Sequence, residues 1–188
     1  MQNKIKFLFF GILAALGALA LESFVLIFPE ISPSTGVPDW FMPLGVFIEE
    51  AFSLLILWRL FVNEKNRSGF FCETLFFGAG FSLTEILLNA ANYPKTDESL
   101  LFSYLGLFLI HTAAASIAGA YFSRKETVGP GIGLVFFAAA FAHFIFNYSV
   151  LFELGQSISI IWPIIVILAS FFAKKSSFSH HSLPTPGN

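Results

Sequence analysis

The sequence predicts an all-α, polytopic membrane bundle of about six transmembrane helices with both termini cytoplasmic, and three observations predict it. Apolar residues make up 56% of the 188-residue chain and charged residues only 12%, against roughly 25% charged in a soluble domain. Six stretches reach or approach the roughly 20 apolar residues that cross a bilayer. Lysine and arginine crowd one side of the breaks between those stretches. A chain of mean hydropathy +0.77 cannot wet its surface, so most of that surface faces lipid. Its 26 phenylalanines suit a lipid-packed bundle better than a compact aqueous core. Residues 1–175 read as one transmembrane domain, and 176–188, rich in Ser, His and Pro, as a disordered tail.

The first span runs roughly Lys6–Phe28. Lys4, Lys6, the apolar run and the small pattern Ala18-Leu19-Ala20 are similar to a signal peptide, yet the run continues past Glu22 to Phe28, long for such a segment. The lone Glu22 either snorkels or faces the bundle. The other spans are Trp40–Val62, Gly69–Asn89, Leu100–Phe122, Gly131–Phe152 and Ser157–Ala173. The breaks between them carry turn residues: Pro33, Gly36 and Pro38 in the first; Asn63 to Ser68 the second; Pro94, Lys95 and Asp97 in the third; Gly129 and Pro130 in the fourth; Gly155 in the fifth. All are short, leaving no room for an extramembrane domain. Pro163 predicts a kink in the sixth span. No internal repeat is visible.

Orientation follows from the basic residues. Lys4, Lys6, Arg59, Lys65, Arg67, Arg124, Lys125, Lys174 and Lys175 fall on one side, nine of the ten, and Lys95 alone on the other. That bias puts both termini inside and supports an even number of spans, as expected of a multi-pass protein of the cell (plasma or inner) membrane. Arg59 is expected to snorkel to that surface. With a net charge of -2 and no long basic run, nucleic acid is not an expected partner. Cys72 is the only cysteine, so it closes no intrachain disulfide and reads as a small apolar filler.

Ionisable groups in the middle of a span cost about 2.5–3.5 kcal/mol on insertion scales and mark functional candidates. Five stand out: Glu49 and Glu50 in the second span, Glu85 in the third, His111 in the fourth and His143 in the fifth, with Asn147 one turn beyond His143. Depths measured from each span's midpoint, signed for antiparallel neighbours, put all five at or just outside the membrane centre, within roughly 8 Å at 1.5 Å per residue. Glu49 and Glu50 diverge by about 100° on their helix, so only one points straight into the bundle, with Ser53 in reach of either. Small residues surround these positions: Gly78, Gly80, Ala113 to Ala115, Gly119, Ala138 to Ala140 and Ala142. They admit close helix packing or a substrate segment.

The chemistry of this set is limited. A carboxylate away from bulk water can serve as general base for water. A histidine shares that water or donates to an oxyanion, and His143 with Asn147 offers N–H donors where negative charge develops. Such a set can hydrolyse a peptide bond without a serine or cysteine nucleophile. Two histidines with carboxylates can also hold a divalent metal such as zinc, here through Glu50, Glu85, His111 and His143, although the chain has no HExxH motif and no cofactor is favoured.

At Phe47-Ile48-Glu49-Glu50, Phe81-Ser82-Leu83-Thr84-Glu85, His111 and His143-Phe144-Ile145-Phe146-Asn147, the chain resembles the PrsW family of membrane proteases, related to the type II CAAX prenyl endopeptidases and bacterial CPBP proteins. Order and spacing match across the second to fifth spans, somewhat over half the chain. The resemblance implies an intramembrane endopeptidase in which Glu49 or Glu50 activates water, aided by Glu85 and His111, while His143 and Asn147 stabilise the oxyanion. Its substrate would be a membrane-anchored protein or hydrophobic peptide. Two positions depart from the family pattern. Ser53 and Leu54 stand where a basic residue often follows the Glu pair, and Ile86 stands where Asn often follows the later Glu.

Two other functions use the same residues. One is a proton-coupled transporter with a carboxylate–imidazole relay; the other is a non-catalytic scaffold or immunity-type member of the same family. The structural reading of the set is interhelical hydrogen bonding. Glu73, Glu98 and Glu153, near span ends, are expected to snorkel. Asn89 and Asn92 are expected at the interface, and His180 and His181 to decorate the tail.

Overall fold

A computed structural model describes residues 2–27, 41–63, 69–92, 98–124, 131–151 and 156–179. They form six helices: α1 (Gln2–Ile27), α2 (Phe41–Asn63), α3 (Phe70–Asn92), α4 (Glu98–Phe122), α5 (Ile132–Leu151) and α6 (Gln156–Ser179). No strand occurs among the described residues. The predicted turn residues from Pro33 to Pro38, Lys65 and Arg67, Pro94 to Asp97, Lys125, Gly129, Pro130 and Gly155 lie outside the described residues, as do Glu153, His180 and His181.

Five helices (all except α2) contain segments long and apolar enough to cross a membrane, so the chain is a multi-pass membrane protein. The exception, α2, has the length but carries Glu49, Glu50 and Arg59. Two corrections concern helix ends. Residues 176–179, expected in the tail, continue α6, which runs through Pro163 to Ser179; residues 180–188 lie outside the described residues. Glu73 does not snorkel: at the start of α3 it is buried, with Oε2 lacking a hydrogen-bond partner.

The bundle is arranged around α4, which packs on α2, α3, α5 and α6, while α1 covers α2 and α3. Half of the α3 span and 44% of the α4 span are buried, against 22% for α1 and α6, which are therefore the outer helices. Glycines set the closest approaches. A Cβ on Gly11 of α1 would strike the Phe77 carbonyl of α3, and one on Gly80 of α3 would strike the Leu8 carbonyl of α1. The two backbones touch where no side chain intervenes. A Cβ on Gly78 would stand 2.6 Å from the His111 carbonyl oxygen, so α3 and α4 are also in close backbone contact there. The Ser82 hydroxyl donates to the Gly78 carbonyl at 2.8 Å and to Phe108 of α4 at 3.2 Å.

At the end of the bundle where α1 begins and α2 ends, four buried phenylalanines interlock. Phe61 stacks on Phe122 at 4.9 Å between centroids, and Phe70 meets Phe7, Phe61 and Phe122 edge-on. Edge-to-face and offset pairs of this kind add to the hydrophobic gain of burial. They plug the end that carries Arg59 and Arg124, both exposed. Cys72 is exposed on α3 rather than filling a core gap, because it lies on the side of the first turn opposite Phe70 and Thr74.

Candidate functional site

Each of the four central helices brings its ionisable side chain inward at the same level. His143 of α5 is nearly fully buried, and its Nδ1 lies 2.9 Å from Glu50 Oε1 and 3.5 Å from Glu49 Oε2, both on α2. With Glu50 as the carboxylate, which only accepts, Nδ1 carries the hydrogen of this bond; Glu49 Oε2 is left at ion-pair distance. His111 Nε2 of α4 lies 2.5 Å from Glu85 Oε2 of α3. The two imidazoles then meet edge to face, 4.7 Å between centroids at 82°. Phe81, one turn before Glu85, lies against the other side of the His111 ring at 4.3 Å. The five residues Glu49, Glu50, Glu85, His111 and His143 thus form one cluster.

Neighbouring groups hold the cluster in place. The Trp162 indole N–H of α6 donates to the Ala142 carbonyl at 2.9 Å, tying α5 to α6 beside His143. Ala113, Ala114, Ala139, Ala140 and Ala142 are buried around it, and their small side chains leave the imidazoles their space. Against Glu50 lies a cavity of about 10 Å³, lined also by Ser53, Leu57, Ala114, Ala115, Ala118 and Ala139. That size suits a single water molecule, with Glu50 and Ser53 as its polar walls.

Asn147 is half-buried one turn further along α5 and joins none of these hydrogen bonds. Ligand atoms of Glu49, His111 and His143 lie within 4.8 Å of one another. A divalent cation could be held by this set, which has Glu49 where the sequence suggested Glu50 and Glu85.

One member escaped the sequence reading as a site residue. Glu22 of α1, left between snorkelling and facing the bundle, faces it: Oε1 is buried without a hydrogen-bond partner, and the carboxyl contacts Glu49. The signal was present, since Phe7, Gly11, Ala15, Ala18 and Glu22 recur at helical spacing, and this stripe is the buried face of α1. Comparison with protein-family models, with curated proteins and with solved structures finds no match for this chain.

Proposed function

We propose that this protein is an intramembrane endopeptidase that hydrolyses peptide bonds of membrane-anchored or hydrophobic substrates with a glutamate-activated water. The observation that carries the reading is the buried Glu50–His143 pair beside a water-sized cavity. Glu50 takes a proton from the water, and the hydroxide adds to the scissile carbonyl carbon. Negative charge then develops on the carbonyl oxygen, where the nearby Asn147 amide donates, joined by His143 Nε2–H when the imidazole carries both hydrogens. The C–N bond breaks as the departing amine receives the proton held by Glu50. The Glu85–His111 pair braces His143 from the far side through the ring contact.

The helices that carry Glu50 and His143 also border an open apolar space. An apolar cleft of about 600 Å³ lies between α2 and α5, with Val46, Phe47, Ala140 and Phe141 in its walls. Val46 stands one turn before Glu50 and Ala140 three residues before His143, so a segment lying in this cleft approaches the pair from the lipid side. A resemblance to the PrsW-type proteases in motif order supports this reading, in which both termini lie on the cytoplasmic face of the cell membrane.

The test is reconstitution of the purified protein with candidate membrane substrates, alongside Glu50→Gln and His143→Ala. Cleavage by wild type that both variants lose supports the peptidase. Equal cleavage by all three, or none by wild type, defeats it. Proton flux into liposomes that vanishes in the same variants assigns the cluster to transport. Elemental analysis of the purified protein decides whether zinc occupies the Glu49, His111 and His143 donor set.

A further inference from the structure

A second apolar cleft, of about 450 Å³, lies between α4, α5 and α6, and no residue of the glutamate–histidine cluster lines it. The Trp162 indole closes one end, where its N–H bond to the Ala142 carbonyl ties α6 to α5. Arg124 stands at the other end, just past the last turn of α4. Small side chains leave the space open: Ala120 on α4, Ala138 on α5, Ala169 and Ala173 on α6. Leu134 and Ile165 in its walls are exposed, so the cleft opens sideways onto the bilayer.

Length and charge say what fits there. From Trp162 to Ala173 the wall runs about 16 Å along α6 at 1.5 Å per residue. That is the depth of one leaflet, about half of a roughly 30 Å hydrocarbon core, and too short for a spanning helix. Arg124 is exposed and is the one charged side chain in the wall among the described residues. Tyr121, one turn before it, lies with its ring beside Gly131, and tyrosine favours the headgroup level of a membrane. We propose that this cleft binds an anionic phospholipid from the leaflet on the Arg124 side. The phosphate meets Arg124, whose planar fork matches two phosphate oxygens at once, and one acyl chain runs past Ala138 and Ala169 to Trp162. A zwitterionic headgroup brings its own cation to the guanidinium and an anionic one does not, so net negative charge is selected. The site stands apart from the peptidase reading and does not depend on it.

Trp162 at the inner end of the cleft supplies the test. The full chain carries Trp40→Phe and Trp58→Phe, so that Trp162 is its one tryptophan. It is reconstituted in phosphatidylcholine vesicles containing a few per cent of phosphatidylglycerol or phosphatidylcholine with brominated acyl chains, which quench tryptophan on contact. Brominated phosphatidylglycerol should half-quench Trp162 at about a fivefold lower mole fraction than brominated phosphatidylcholine, the worth of one basic residue at an anionic surface. Arg124→Gln should remove that preference, and so should Ala169→Phe, which fills the cleft and leaves every charge in place. Arg59→Gln, at the same end of the bundle but outside the cleft, should keep it. Equal quenching by the two lipids overturns the proposal, as does a preference that survives Arg124→Gln or Ala169→Phe. A preference lost equally in Arg59→Gln assigns it to general surface attraction and overturns the site as well.

Discussion

Two carboxyl groups approach the same nitrogen of His143 at unequal distances, and this inequality organises the site. Glu50 takes the hydrogen bond and Glu49 is left at 3.5 Å. The same inequality predicts unequal substitutions. Glu50→Gln should lower kcat by about 10²–10⁴-fold, the usual worth of a general base, whereas Glu49→Gln should cost less, read in the same cleavage assay. The Glu85–His111 pair should respond through stability instead. Removing either partner leaves a buried polar group alone, and the loss for a buried pair is about 3–5 kcal/mol. Thermal unfolding in detergent should therefore show a clear drop for Glu85→Leu or His111→Leu, and a smaller one for the double replacement. These residues were legible in the sequence because a charge inside an apolar span is conspicuous. Glu22 was less so, since its place near the end of its span allowed an equally good reading as a snorkelling residue. Glu73 was misread for the same reason: position along a helix does not say which way a side chain turns.

The helices themselves were nearly all legible from apolar length and basic flanks, and the contacts between them were not. Small residues said that backbones come close; the structure says which ones. Gly11 and Gly80 interlock α1 with α3, and Gly78 seats α3 on α4 at His111. Gly80→Leu should force the α1 and α3 backbones apart and cost at least the 1–3 kcal/mol typical of overpacking, seen as lower thermal stability. Gly133 has nothing within 4 Å of its Cβ position, so Gly133→Ala should be tolerated in the same measurement. The phenylalanine plug makes a second prediction at this scale. Phe122→Ala removes a fully buried ring that contacts two others, and should destabilise by about 3–5 kcal/mol. No sequence period announces that plug, because its four members come from four helices.

At the scale of the molecule, α2 is the most charged of the six predicted spans, with Glu49, Glu50 and Arg59, and the cluster supplies a reason for it to belong in the membrane. Glu50 is turned inward and hydrogen-bonded to His143 on α5, and Glu49 lies 3.5 Å from the same nitrogen. A six-span path would place both termini on one side, at the end of the bundle that the phenylalanine plug closes. Reporter fusions at residue 2 and after Ser179 should therefore give the same sidedness. The central claim is that Glu50 and His143 act as one hydrolytic unit, and the most direct measurement is kcat for wild type, Glu50→Gln, His143→Ala and the double variant on one reconstituted membrane substrate. Each single variant should be slower by at least about 10²-fold, and the double no slower than the slower single, as for groups that work together. Cleavage at the wild-type rate by either single variant would contradict the account.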